Sequence, residues 1–288
     1  MMKNLSSCLQ YKNEKSIFHV HEGSTPYLSF RALDETGLFG NAFTTKFGGV
    51  STGYLESLNL SLSKEGETEA HILENYRRIG EAAGFDPKRM VLSHQTHTTN
   101  VREATEADYG KGLTVPRDYE NVDGFVTNVP GLTLVTFYAD CVPLYIADPV
   151  HRAIGLSHSG WRGTVNRMGK ATIEKMQALY GSRTEDLICC IGPSICRDCF
   201  EVGSEVAEVF WKEFGEERAG ELLLQRNGKF YIDLWRANEF VFLDCGVRPR
   251  HIHTTNLCTH CNPDILWSHR SFGTHRGNLG AFLSLREG

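Results

Sequence analysis

The sequence has no excess of basic residues. Its 30 Lys and Arg stand against 35 Asp and Glu, a net charge of −5. Grip on a nucleic-acid polymer through its phosphates needs a basic surface, so that class of partner is excluded. A small anion or a nucleoside is not. Nowhere does an apolar run approach the roughly 18 residues that a membrane span requires. The most apolar stretch, 132–147, is broken by Asp140 and Pro143. The N-terminal stretch, MMKNLSSCLQYKNEK, lacks the apolar segment of a secretory signal. Internal repeats, low-complexity tracts and Pro/Gly/Ser linkers are also missing. These absences predict a soluble, cytoplasmic protein with no membrane partner; oligomeric state is not legible. The nine cysteines are an odd number. In a reducing compartment they are thiols, metal ligands or nucleophiles rather than a disulfide framework.

What is present is an ordinary globular chain of 288 residues, 41% hydrophobic. A chain of this length buries roughly three quarters of its unfolded surface and needs no staple merely to fold. Periodicity predicts a helix over 68–83, with Thr68 as cap, Ile72, Tyr76 and Ile79 on one face, and Gly84 as the stop. Further helices are predicted over 164–180, 206–214 and 234–243. Strands are predicted over 90–93, 124–127, 132–138, 144–147, 153–157, 187–191, 252–255 and 279–285. The fold class is mixed α/β (α+β), a single-domain layered sandwich with a mixed β-sheet.

Two predicted strands end in reactive side chains. Strand 132–138 runs into Asp140 and Cys141; strand 153–157 runs into His158. Strand ends are where ligand sites gather in α/β folds. Cys141 and His158 suit a nucleophilic pair, a metal site, or a packed thiol beside a hydrogen-bonded imidazole. The Ser93–His94–Gln95–Thr96–His97 segment adds a third donor, either His94 or His97. Two imidazoles and a thiolate leave a fourth position open on Zn²⁺, the catalytic pattern. A metal there would lower the pKa of a bound water to about 7. Copper is a further option for such a donor set.

After His158 come Ser159, Gly160, Trp161, Arg162 and Gly163, a turn leading into a helix. Backbone N–H groups there and the Arg162 fork suit phosphate, or the segment is a plain turn with a surface arginine. Residues 155–159 depart from a serine nucleophile elbow, because Ser159 stands where glycine is required. The loop from Lys46 to Ser51 carries two glycines but no P-loop ending. Two Cys-x-x-Cys pairs, Cys196/Cys199 and Cys258/Cys261, have the right count for a structural zinc or an iron–sulfur cluster. Their wide separation and the lack of a treble-clef pattern count against a shared ion, and a reversible disulfide is a further option. Cys189 and Cys190 read as core. The pairs His19/His21 and His251/His253 keep open a copper-dependent phenol oxidase.

Together these motifs resemble the YfiH-type family, long labelled laccase-domain or polyphenol-oxidase proteins. They run from Thr44–Thr45–Lys46–Phe47–Gly48–Gly49–Val50–Ser51 through Gln95–Thr96–His97, Ala139–Asp140–Cys141–Val142–Pro143, His158–Ser159–Gly160–Trp161–Arg162–Gly163 and Cys258–Thr259–His260–Cys261 to Ser268–His269–Arg270. The resemblance implies that 41–288 is the family's purine nucleoside phosphorylase domain, with 1–40 as N-terminal strands extending it. It implies His97, Cys141 and His158 as zinc ligands, and so selects His97 over His94. It also implies phosphorolysis of adenosine, guanosine, inosine and methylthioadenosine, with adenosine deamination. The substrates would then be purine nucleosides and phosphate, held by Lys46, Gly160, Arg162 and Gly163, with Asp140 as a candidate proton carrier. A Cys141-based hydrolase or a peptidoglycan-precursor editing enzyme is the alternative. The chain departs from the pattern at Lys46, where arginine is common, at Thr98 and His275, where glycine is usual, and at Ser271, which replaces an arginine.

Overall fold

The computed structural model describes residues 5–13 and 17–287. Two six-stranded mixed sheets lie face to face, with helices on both outer surfaces. The first sheet runs, in spatial order, Phe18–His21, Tyr27–Phe30, Phe39–Thr44, Leu279–Leu285, Thr133–Tyr138 and Met90–Leu92. The second runs Ile252–Thr254, Ile188–Ile191, Val142–Asp148, Ala153–Ser159, Gly124–Thr127 and Val101–Glu103. A small three-stranded sheet, Glu201–Val202, Lys229–Ile232 and Leu223–Arg226, stands beside them.

The central strands of the second sheet, Val142–Asp148 and Ala153–Ser159, are buried on both faces, which is why they read as apolar runs rather than alternating ones. Between the sheets, Phe30 meets Tyr145 at 5.0 Å between ring centres. The Tyr145 hydroxyl donates across to the Ala42 carbonyl, and that of Tyr138 to the Ser157 carbonyl. Helix Glu69–Ala83 covers the outside of the first sheet, burying Ile72, Tyr76 and Ile79 against Val135 and Phe282. Thr68 caps it by accepting from the His71 N–H, and Gly84 ends it in the left-handed region at φ 78°. Helices Met168–Tyr180, Ser204–Leu222 and Leu234–Asp244 cover the second sheet.

Most predicted elements are present within a few residues. One predicted helix is broken in two. The span 164–180 is two helices, Trp161–Val165 and Met168–Tyr180, broken where Arg167 adopts φ 60°. Ion pairs from Arg167 to Glu213 and Asp244 hold that conformation. The helix predicted over 206–214 is longer, Ser204–Leu222, and continues across a kink at Gly215. The strands before residue 40 join the first sheet directly, and Phe39–Thr44 runs through that position. Among the described residues, no helix is long and apolar enough to cross a membrane.

Candidate metal centre and active site

The chain crosses from the first sheet to the second at two neighbouring places, and each crossing carries a donor. Thr133–Tyr138 passes through Ala139, Asp140 and Cys141 into Val142–Asp148. The turn is tight, and Asp140 takes it at φ 88°. Met90–Leu92 passes through the loop bearing His97, at φ 63°, into Val101–Glu103. The third donor follows from strand register. Val142–Asp148 and Ala153–Ser159 form a hairpin in which Pro143 faces His158. Cys141 is then the diagonal neighbour of His158 on one face, within side-chain reach. The turn of that hairpin is fixed by Asp148, whose Oδ1 accepts from the Val150 and His151 N–H groups.

His97, Cys141 and His158 thus converge, their donor atoms all within 4.8 Å of one another. His97 Nε2 lies 3.9 Å from Cys141 Sγ. His158 is buried, Cys141 half-buried and His97 exposed, so the cluster is open on one side.

Asp123, which sequence reasoning left out of the site, organises it. The carboxylate is fully buried. Oδ1 accepts from the His97 N–H at 3.0 Å and from His158 Nδ1 at 2.9 Å. Oδ2 accepts from the Thr96 and Thr98 N–H groups and the Thr98 hydroxyl. Fixing Nδ1 as a donor leaves His158 Nε2 as the metal-facing nitrogen. Burial favours a neutral Asp123, but the His158 bond and the loop N–H groups hold its carboxyl well below the usual range. In the sequence it opens the run Asp123–Gly124–Phe125–Val126–Thr127, which also resembles the family, but that resemblance gave it no site role.

Without a metal, burial pushes the Cys141 thiol up, but the His158 charge and hydrogen bonds from both imidazoles bring it down to about 6. His158 moves the other way. Burial presses it down, yet Cys141 and Asp123 raise it to about 9. The two form a thiolate–imidazolium pair, the protonation state from which a metal displaces the imidazole proton.

Gly160 provides the fit test for an ion. A Cβ at this position would lie 3.0 Å from the His97 ring and 3.1 Å from Cys141 Sγ. Glycine therefore keeps clear the space beside two of the donors, and the donor set suits Zn²⁺.

Two cavities share this centre. The larger, about 500 Å³, is lined by His97, Cys141 and His158 together with Leu113, Phe137 and Arg276. The smaller, about 300 Å³, is lined by Asp140, Cys141, Trp161, His269, Arg270 and Arg276. Arg276 thus faces both. Its Nη1 donates to the Gly277 carbonyl, while its buried Nε has no hydrogen-bond partner among the described residues.

The other expected residues are placed differently. Asp140 has both carboxylate oxygens occupied, by the Thr259 hydroxyl and the Arg270 N–H, each at 2.6 Å. Arg162 is exposed and stacks on Trp161 at 4.3 Å. Lys46 donates to the Pro263 carbonyl and sits over the Trp267 and Phe272 rings. Neither Lys46 nor Arg162 lines either cavity. Gly163 is buried in the short helix after Gly160, away from both. His94 is not a donor here; its Nδ1 accepts the Asn121 N–H. His19 bonds Asp34 and His21 bonds Ser29. Among the described residues, the gathered donor groups include none of His19, His21, His251 or His253.

The chain is similar to several known proteins. Purine nucleoside phosphorylase YlmD of Bacillus subtilis is 32% identical over 251 residues, 85% of this chain and 88% of that one. Adenosine deaminase RL5, from an unknown prokaryotic organism, is 33% identical over 215 residues, 74% of this chain and 81% of that one. The crystal structure of YfiH from Bacillus licheniformis superposes with a TM-score of 0.87 at 26% identity, covering 94% of this chain and all of that one. With residues 40–286 matching its pattern, the chain belongs to the family described as multi-copper polyphenol oxidoreductase laccase.

Proposed function

We propose that the chain is a zinc-dependent purine nucleoside phosphorylase. Adenosine, guanosine, inosine or methylthioadenosine reacts with phosphate to give the free base and the sugar 1-phosphate. Adenosine is also deaminated hydrolytically. The observation that carries this reading is an open three-donor centre set between two cavities that share one arginine. Relatives named as a purine nucleoside phosphorylase and an adenosine deaminase support it.

His97, Cys141 and His158 hold the ion, which when bound supplies Lewis acidity to an oxygen in the cleft. Asp123 keeps the His158 proton on Nδ1 and so presents Nε2 inward. The nucleoside base occupies the larger cavity beside Leu113 and Phe137. Phosphate occupies the smaller one, where Arg270 and Arg276 provide planar donor forks. The unsatisfied Nε of Arg276 gains a partner when the anion arrives. Phosphate is then held against the sugar at the junction of the cavities, a positioning and electrostatic role. Asp140 is a positioning residue rather than a proton carrier, since both oxygens already hold Thr259 and Arg270 in place. All nine cysteines are unpaired, which suits a reducing compartment, and we place the enzyme in the cytoplasm.

Cys141, His158 and Asp123 also resemble a covalent-catalysis triad. His97 weighs against that reading, because its Nε2 faces the sulfur that would have to attack. The test is to incubate the zinc-loaded protein with adenosine, with and without phosphate, beside Cys141→Ala. Phosphate-dependent adenine and ribose 1-phosphate, lost in the variant and on chelation, are expected. Activity that survives chelation with a covalent adduct on Cys141 would establish the hydrolase instead.

A further inference from the structure

The two Cys-x-x-Cys pairs, 62 residues apart in sequence, meet in space. All four sulfurs of Cys196, Cys199, Cys258 and Cys261 lie within 4.8 Å of one another. Cys199 Sγ and Cys261 Sγ are 3.5 Å apart, far beyond a disulfide bond of about 2.05 Å. A tetrahedral ion with zinc–sulfur bonds of about 2.3 Å requires sulfurs about 3.8 Å apart. The spacing matches a single ion. An iron–sulfur cluster would interpose its own sulfides and irons and spread the four thiolates further.

The surroundings fit a thiolate cage. Cys196 and Cys258 are buried, and Cys199 and Cys261 half-buried. The Cys196 N–H points at Cys258 Sγ, 3.2 Å away, so a backbone donor already faces one sulfur. Lys12 reaches over the pairs to Asp198, placing a positive charge beside a site that would carry net negative charge. No side chain of the catalytic proposal belongs to this cluster. Nor does any cavity shared with the open centre need it as a donor.

We propose that Cys196, Cys199, Cys258 and Cys261 form a second, closed S4 site for one zinc ion, with a structural role. The role follows from what the cysteines carry. Cys258 adjoins Thr259, whose hydroxyl donates to Asp140. Cys196 adjoins Ile195, whose N–H donates to the Asp140 carbonyl at 3.0 Å. Ile195 and Phe200, which bracket the first pair, line the smaller cavity. An ion here joins two loops that both brace the residue before Cys141. The inference does not depend on the nucleoside reading.

The test is zinc content, measured by mass spectrometry on full-length protein purified under reducing conditions. Wild type is expected to hold about two zinc ions per chain and Cys141→Ser about one. Cobalt-substituted Cys141→Ser should keep strong sulfur-to-metal charge-transfer bands in the near ultraviolet. Cys199→Ser combined with Cys261→Ser should lose one ion and these bands. If that double variant fails to fold, thiol titration of native Cys141→Ser decides: four thiols protected until a chelator is added support the site. A zinc-free Cys141→Ser protein whose four thiols react freely would overturn it. So would a Cys199–Cys261 disulfide found by peptide mapping, or iron–sulfur absorbance.

Discussion

The protein gathers sulfur and imidazole at two places, and the two differ in how they are closed. At the first, three donors come from two sheet-to-sheet crossings and a strand end, one of them exposed, with cavities on the open side. At the second, four thiols come from two loops and close on themselves. Donor number and access separate a centre that can do chemistry from one that can only hold. The contrast also shows how a short motif and a dispersed one reach the same end. The Cys-x-x-Cys pairs are local and face each other through loop packing. The triad has no local spacing at all and exists only because the two sheets stack.

The contrast breaks most sharply at Cys141. Cys141→Ser should lower turnover by ~1000-fold or more, since several kcal/mol of transition-state stabilisation go with the ion, while its melting temperature, compared with wild type after both are stripped of metal, stays within a few degrees. Steady-state kinetics on metal-loaded samples and thermal melts on chelator-treated ones check the two halves. Cys258→Ser should do the reverse. It leaves three thiols around a gap in a buried loop, and loss of ~3 kcal/mol would lower the melting temperature by roughly 6–12 °C. Asp123→Asn sharpens the open site alone. Metal affinity there should fall by about 10–100-fold, measured by competition with a chromogenic chelator, with the S4 zinc retained.

A pH series separates the thiols. In chelator-stripped protein, Cys141 is a thiolate above about pH 6 and a thiol below it. Its alkylation by iodoacetamide should therefore slow by roughly tenfold for each pH unit below that point. Cys189 and Cys190, whose thiols burial pushes up, should stay unmodified throughout. Peptide mapping by mass spectrometry follows each site. The smallest effect concerns phosphate. Arg276→Gln should raise its KM by about fivefold or more, whereas Arg162→Gln should change it by less than about twofold, because an exposed arginine stacked on tryptophan gives up little.

Much of this was legible beforehand, for reasons that differ by element. The helix Glu69–Ala83 was readable because cap, apolar face and glycine stop are all local. The hairpin that brings Cys141 diagonally beside His158 was readable as two apolar runs ending in reactive side chains. Choosing His97 over His94 rested on family resemblance; the structure gives the physical reason, since Asp123 turns the His97 backbone inward. Asp123 itself was missed. Its five hydrogen bonds come from four residues up to 35 positions away, and no spacing around Asp123 announces them. Lys46 and Arg162 stand out because basic residues beside glycines resemble phosphate loops, yet neither lines the two cavities at the open centre. Arg276 does, from a loop whose sequence departs from the family pattern. The break at Arg167 was hidden because apolar spacing continues smoothly through it.

That both crossings carry a donor has a further consequence. Cys141 and His97 come into register only when the two sheets are stacked, so an ion held by both would bind the native arrangement and not the unfolded chain. Free metal then enters the folding equilibrium by mass action. At a free concentration one hundred times its dissociation constant, a single such ion adds about 2.7 kcal/mol to stability. The cell's metal supply would set how long this fold persists as well as how fast it works.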